Sequence, residues 1–309
     1  MTRNLEVSAI SRNNSGTTPV AAYMTTSPNV LTASPNLTFN DGHTIPQLGY
    51  GVWQVEDKVA EDVVGTAFTV GYRHIDTARI YGNEAGVGRA IASSGLARDD
   101  MFITTKVWNA DQGYESTLKA FEESMERLGL ETLDLYLIHW LQPKQGKYVD
   151  TWKALVELQK QGRVKSIGVS NFTVEALQEI IDATGVVPVI NQVETHPYLN
   201  QAELRAFEES KGILHEAWSP LGSGKGLLDD PTLQEIAAKR NATPAQVVLA
   251  WHLALGSVVI PKSVTESRIR ENFESLKVTL EDGDIEAINA LDKGAEGRIG
   301  ADPATADFA

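Results

Sequence analysis

The sequence predicts an α/β protein whose main domain is a single (β/α)₈ barrel with an N-terminal hairpin and two additional helices. Three observations predict it. Short apolar runs alternate with amphipathic segments in regular order from about residue 37 onward. The runs number eight, and no long linker or low-complexity insert separates them. A length of 309 residues is ordinary for a barrel of this kind. Apolar runs of this size, each followed by a helical pattern, read as parallel strands buried on both faces, because every crossover helix covers one face.

Taken in order, residues 1–35 are rich in Ser, Thr, Asn and Pro and lack the apolar segment of a secretory leader, so a disordered tail is expected there. Residues 36–309 are expected to form the barrel with its C-terminal tail. Leu37-Thr38-Phe39, the Asp41-Gly42 pair and Thr44-Ile45-Pro46 read as a hairpin, since Asp-Gly suits the left-handed angles of a tight turn; such a hairpin could plug one barrel end. Strands are expected at 49–53, 72–75, 102–105, 133–138, 166–169, 189–193, 213–217 and 258–260. Helical periodicity falls at 61–68, 84–93, 115–128, 151–160, 174–181, 203–211 and 268–273, and Pro244 after Thr243 opens a further helix through Leu255. The helical patterns at 233–239 and 284–291 exceed an eightfold alternation and are expected as appended helices.

Composition removes several function classes. A formal charge of −14 opposes a general nucleic-acid or anionic-membrane surface. Without cysteine there is no disulfide framework, thiolate metal site or thiol nucleophile. No stretch approaches the ~18 apolar residues of a membrane span, so the expectation is a soluble, cytoplasmic, monomeric protein acting on a small molecule. The six histidines show no metal-ligand spacing, and no metal site is expected. Nucleophile-elbow and Walker motifs are missing, and Gly49-Tyr-Gly51 and Gly222-Ser-Gly224 both fail the dinucleotide fingerprint at its third glycine.

In a parallel barrel, chemistry collects where strands end. The second run ends in Asp76, the third in Lys106 and the fourth in His139, with Tyr81 in the loop after Asp76. Singly, each has a structural reading: a helix cap, a rim lysine, a core histidine, a packing ring. Together at successive strand ends they suit proton transfer. A free phenol titrates near pH 10, so a catalytic tyrosine gains from a nearby cation, which Lys106 supplies; a downward shift of the Tyr81 pKa is expected, smaller than the bare Coulomb term. Asp76 would keep Lys106 charged, and His139 could hold a carbonyl oxygen.

Gly71-Tyr-Arg-His-Ile-Asp-Thr-Ala-Arg-Ile-Tyr-Gly-Asn-Glu84, Thr104-Thr-Lys106, Leu137-Ile-His-Trp140, Gly168-Val-Ser-Asn-Phe172, Asn191-Gln192-Val-Glu194 and Ile260-Pro-Lys-Ser263 strongly resemble the aldo-keto reductases over about residues 37–291. At Glu216-Ala-Trp-Ser-Pro-Leu221 the chain is most similar to prokaryotic 2,5-diketo-D-gluconic acid reductases. The resemblance implies NADPH-dependent reduction of aldehydes or ketones, keto sugars and α-dicarbonyls among them, with Asp76, Tyr81, Lys106 and His139 as catalytic tetrad. It further implies that Ser170, Asn171 and Gln192 bind the nicotinamide carboxamide and that Trp218 stacks on the ring, with Ser219 and Leu221 also at the coenzyme. Lys262, Ser263, Val264 and Arg268 match the segment for the adenosine 2'-phosphate, and Glu271 and Asn272 the adenine contacts. Residues 222–226 would suit a loop closing over the pyrophosphate.

Trp53, Trp108 and Trp140 follow apolar runs and match the family's substrate pocket, beside His139. Two departures stand out. Arg79 replaces a small or neutral residue and could attract an acidic substrate or simply face outward; Leu141 replaces a common proline. Two other classes stay open: a Schiff-base lyase working through Lys106, which Asp76 opposes by favouring the charged amine, and a coenzyme-binding regulatory module.

Overall fold

The computed structural model describes residues 33–308. The expected tail over 1–35 therefore lies outside the described residues except at its end, where Ser34 Oγ accepts the Leu48 N–H and the Pro35 carbonyl accepts that of Gln47, each at 2.8 Å. These contacts tie the chain to the residues between hairpin and barrel.

The hairpin pairs β1 (Asn36–Thr38) with β2 (Thr44–Pro46), antiparallel. Eight parallel strands follow: β3 (Tyr50–Gly51), β4 (His74–Asp76), β5 (Phe102–Val107), β6 (Leu133–Ile138), β7 (Val164–Ser170), β8 (Ile190–Glu194), β9 (Leu214–Trp218) and β10 (Val258–Val259). They lie side by side in chain order. A parallel bridge between Leu48 and Val259 joins the first strand to the last, and the Gly49 and Gly51 N–H groups donate to Val259 and Pro261, so the sheet closes on itself. Ten α-helices occur among the described residues: α1 (Asp57–Val70), α2 (Glu84–Ser93), α3 (Tyr114–Leu128), α4 (Tyr148–Lys160), α5 (Val174–Thr184), α6 (Ala202–Lys211), α7 (Pro231–Arg240), α8 (Pro244–Ala254), α9 (Glu266–Phe273) and α10 (Asp282–Asn289). The two surplus patterns are α7 and α10, which share an apolar cluster with α8 through Leu233, Ile236, Trp251 and Ile288. No helix among the described residues is long and apolar enough to cross a membrane.

The strand period of two layers the barrel interior. At the closed end Phe39 and Ile45 of the hairpin pack with Phe102, Leu135, Leu137, Ile190 and Val258, and Asp41 accepts from Ser166 Oγ at 2.7 Å. Gly168 lets the wall close, because a Cβ there would meet Ile190 Cγ2 at 2.8 Å and Leu137 Cδ2 at 2.9 Å. Moving up by twos, Phe102 leads through Thr104 to Lys106, Leu214 through Glu216 to Trp218, and Ile190 to Gln192. The plug and the chemistry thus share one face of each strand, at opposite ends.

Candidate active site

The open end gathers the four predicted residues. Asp76 closes β4, Lys106 lies near the end of β5, and His139 follows β6. Tyr81 ends a single 3₁₀ turn, Arg79–Tyr81, stopped by Gly82 in a left-handed conformation at φ 67°. Lys106 is fully buried. Its ammonium donates to Asp76 Oδ1 at 2.5 Å, to the Thr77 carbonyl at 3.0 Å and to the Tyr81 hydroxyl at 3.5 Å. Gln192 Nε2 donates to the second Asp76 oxygen at 2.8 Å, so both carboxylate oxygens have donors. The Tyr81 and His139 rings meet edge to face with centroids 5.7 Å apart.

Burial disfavours the charge on Lys106, but Asp76, Tyr81 and Glu216 outweigh it and hold the ammonium above its ordinary pKa. Burial also governs Tyr81. Lys106 pulls its pKa down as expected, yet desolvation pushes harder and Asp76 adds to it, so the phenol stands above its ordinary value. The expected downward shift is thereby corrected: the cation makes a phenolate less costly, and burial keeps the resting group protonated. His139 is held neutral, first by burial and then by Lys106; its Nδ1 is buried without a hydrogen-bond partner among the described residues.

Beside this cluster, the Ser170 hydroxyl donates to the Gln192 carbonyl at 2.7 Å. Asn171, at φ 57°, donates to the His139 carbonyl at 3.0 Å and accepts from Trp218 Nε1 at 2.9 Å, fixing a half-buried indole at the mouth. Ser219, at φ 48°, accepts from Ser223 at 2.9 Å, and the partly buried Leu221 packs against the apolar cluster of α7, α8 and α10. On the β10 side, Ser263 is buried and its carbonyl accepts from the Tyr50 hydroxyl, while Lys262, Val264 and Arg268 are exposed. Arg268 lies in the first turn of α9, and its neighbour Arg270 is occupied by Glu266 at 2.8 Å. Glu271 accepts from Thr243 at 2.6 Å, and Asn272 is buried. A hydroxyl and amide set for a carboxamide, an anchored indole for a flat ring and exposed cations for a phosphate dianion make a donor set suited to NADPH.

Trp108 packs on His139 at 5.2 Å, and Phe308 joins Trp108 at 6.1 Å to Trp140 at 5.0 Å. Trp53, after β3, is half exposed at the same end of the barrel. Arg79 is partly buried, its Nε has no hydrogen-bond partner among the described residues, and its charge is felt by Tyr136, whose ring packs on Phe121 of α3 at 5.0 Å. Leu141 is buried and leads into Gln142 at φ 50°.

Phe308 forms a further wall: the sequence allows the tail from Lys293 to Ala309 to border the pocket, but does not single out this ring. Its carbonyl accepts from Asn109 at 2.8 Å, and upstream the Ile299 and Gly300 N–H groups donate to the buried Glu194 carboxylate, each at 2.7 Å. Burial opposes the charge on Glu194, but His196 and these two donors prevail and lower its pKa. The motif at 191–194 was the available signal, a carboxylate closing a buried strand. The Gln192 link to Asp76 had none, since 116 positions separate the partners.

The sequence model described as "Aldo/keto reductase family" matches residues 47–293. A Mycolicibacterium smegmatis protein named aldo-keto reductase is 52% identical over 275 residues, covering 89% of this chain and 99% of the relative. Methylglyoxal reductase DkgA of Escherichia coli is 46% identical over 268 residues, covering 86% of this chain and 96% of the relative. Among solved structures, a Gox0644 mutant in complex with NADPH superposes with a TM-score of 0.85 at 52% identity, covering 89% of this chain and 99% of that one.

Proposed function

The chain belongs to the aldo/keto reductase family, and from that premise we propose that it reduces aldehydes and ketones to alcohols with NADPH, with Tyr81 as the proton donor. The observation that carries this reading is the continuous chain Tyr81, Lys106, Asp76, Gln192 at the barrel mouth.

When bound, the coenzyme supplies a hydride to the carbonyl carbon. Negative charge then develops on the carbonyl oxygen. Tyr81 gives that oxygen its proton, and Lys106, 3.5 Å away, bears on the phenolate left behind. His139, neutral and edge to face with the Tyr81 ring, orients the oxygen. Asp76 keeps Lys106 charged and in place. Ser170, Asn171 and Gln192 would hold the carboxamide, Trp218 the ring, Ser219 and Leu221 the neighbouring portion of the coenzyme, Lys262, Ser263, Val264 and Arg268 the 2'-phosphate, and Glu271 and Asn272 the adenine. The aromatic walls Trp108, Trp140 and Phe308, with Trp53 on the rim, favour small carbonyl compounds. α-Dicarbonyls come first, because several relatives carry the name methylglyoxal reductase; keto sugars follow.

A Schiff-base lyase would need a neutral, exposed amine, whereas Lys106 is buried, ion-paired and held charged. A coenzyme-binding module would have no use for an intact proton chain. The test is NADPH oxidation across aldehydes, α-dicarbonyls, keto acids and keto sugars, with borohydride trapping in the absence of coenzyme. Coenzyme oxidation with α-dicarbonyls in the leading group is expected. Trapped substrate on Lys106, or coenzyme binding without turnover on any carbonyl, would overturn the reading.

A further inference from the structure

Beneath the proton chain the barrel holds a carboxyl group that the scheme above does not use. Glu216 lies in the middle of β9, fully buried, in register with Gln192 on β8 and Val258 on β10. Neither of its carboxyl oxygens has a hydrogen-bond partner among the described residues. Across the barrel His74 Nε2, also unpartnered, lies 3.7 Å from Glu216 Oε1. His74 Nδ1 faces the Pro46 carbonyl at 3.2 Å. A carbonyl can only accept, so Nδ1 carries the hydrogen and Nε2 turns a lone pair toward Glu216.

His74, Asp76 and Glu216 bring ligand atoms within 4.8 Å of one another. A metal ion there would meet the Lys106 ammonium and compete with it for Asp76, so the cluster does not suit a cation. It suits a proton. Two carboxyl groups this close in a dry interior do not both ionise readily. Asp76 has Lys106 and Gln192 as donors at 2.5 and 2.8 Å, while Glu216 feels Gln192 only from beyond hydrogen-bond distance, so the proton belongs on Glu216. Burial first, and Asp76 second, push Glu216 up to about 8, against Gln192 and Lys106. The groups facing it are His74 and Asp76 from β4, Lys106 from β5 and Gln192 from β8, with Tyr81 acting from the loop above; the β10 neighbour Val258 is apolar. Burial lowers His74 to about 4, so it stays neutral in this range.

We propose that Glu216 is a positioning residue for carbonyl reduction: its proton leaves Lys106 facing a single carboxylate, and loss of that proton sets the alkaline limit of turnover. Once Glu216 is ionised, a second buried anion claims the Lys106 ammonium and opposes the phenolate that Tyr81 becomes. A second buried unit charge acting on the Tyr81 oxygen through an effective dielectric near 20 corresponds to a roughly ten- to hundredfold slower proton transfer. The inference rests on the reductase reading.

The experiment uses the full chain and Glu216→Gln, which keeps shape and removes the ionisation. The infrared carbonyl band of protonated carboxyl groups is followed against pH, alongside the pH profile of single-turnover NADPH oxidation. The expected wild type carries a buried-carboxyl band at neutral pH that fades in the alkaline range together with the rate. Glu216→Gln lacks that band, and its rate, relative to its own maximum, does not fall with the wild-type alkaline limb. A wild type without the band at neutral pH overturns the proposal, as does an alkaline limb unmoved by the substitution. Should Glu216→Gln fail to fold, wild type decides: a band that titrates with the rate supports the proposal, and a rate that falls while the band persists overturns it. Should no carbonyl be reduced at all, the reductase reading fails, while the infrared titration still reports whether Glu216 holds a proton.

Discussion

Replacing Lys106 with Met separates the two tasks assigned to that ammonium. At 3.5 Å from the Tyr81 hydroxyl and an effective dielectric near 20, a unit charge attracts a phenolate by about 5 kcal/mol, or between three and four decades of rate. Solvent and His139 recover part of this, so Lys106→Met should slow single-turnover NADPH oxidation by roughly a thousandfold while coenzyme binding persists. The same change leaves Asp76 buried with only Gln192 as donor. Breaking a buried pair from one side costs about 3–5 kcal/mol, which for a chain of this size lowers the melting temperature by roughly 10 °C. Adding Asp76→Asn removes the orphaned charge. The double variant should therefore regain most of the stability and none of the rate. Stopped-flow coenzyme oxidation, fluorescence titration with NADPH and thermal melting of the three variants form the assay. Recovery of rate along with stability in the double variant would refute the reasoning, because it would mean that Lys106 acts only by holding Asp76. A Lys106→Met rate within tenfold of wild type would do the same.

Tyr81→Phe keeps the ring and loses the proton, so NADPH binding should persist while carbonyl turnover falls by about 10²- to 10⁴-fold; near-wild-type single-turnover oxidation would remove Tyr81 from the donor role. Arg268→Ala should weaken NADPH by about ten- to hundredfold and leave NADH nearly unchanged, since only the former offers a phosphate dianion. Equal weakening of both in fluorescence titration would exclude that contact. For Glu216, whose pKa is raised to about 8 in the fold, the unfolded chain releases the proton first, so the stability of the protonated form is complete below the ordinary carboxylate range and is lost as pH rises toward 8. Denaturation from pH ~5 to ~8 should therefore move the balance toward Glu216→Gln by about 1.4 kcal/mol per pH unit; a difference independent of pH would contradict the raised value.

Much of the barrel is legible because its strands are short and apolar and its helices begin with local signals. Thr243, Pro244 and Gln246 form a capping box with proline in the first turn, and α8 starts there as expected. The outermost strands are shorter than their apolar runs: β3 has two residues and β10 two. Closure is carried instead by the Leu48–Val259 bridge and single hydrogen bonds around it, which no window of sequence contains. Asp76, Lys106 and His139 could be read from their place at strand ends, and Tyr81 from the loop beside them. The sign of the Tyr81 shift could not. A sequence reveals that a cation is near, but the desolvation that outweighs it depends on how deeply the ring is covered. The same holds for Glu216, which the motif at 216–221 displays without revealing that its oxygens lack donors, and for Phe308, which reaches Trp108 and Trp140 only through the path of the chain after Gly300.

That path is attached chiefly through main-chain atoms. Ile299 and Gly300 reach Glu194 with their amide hydrogens, and Phe308 reaches Asn109 with its carbonyl oxygen. Attachments of this kind do not depend on side-chain identity; the exceptions are Gly300, where a Cβ would lie 2.5 Å from Trp218, and the exposed ion pair of Asp307 with Lys144 at 2.9 Å. Residues 301, 302, 304, 305 and 307 are exposed between the two ends. One wall of the pocket is therefore free to change its lining by substitution without losing its moorings, while the barrel that carries the proton chain stays as it is.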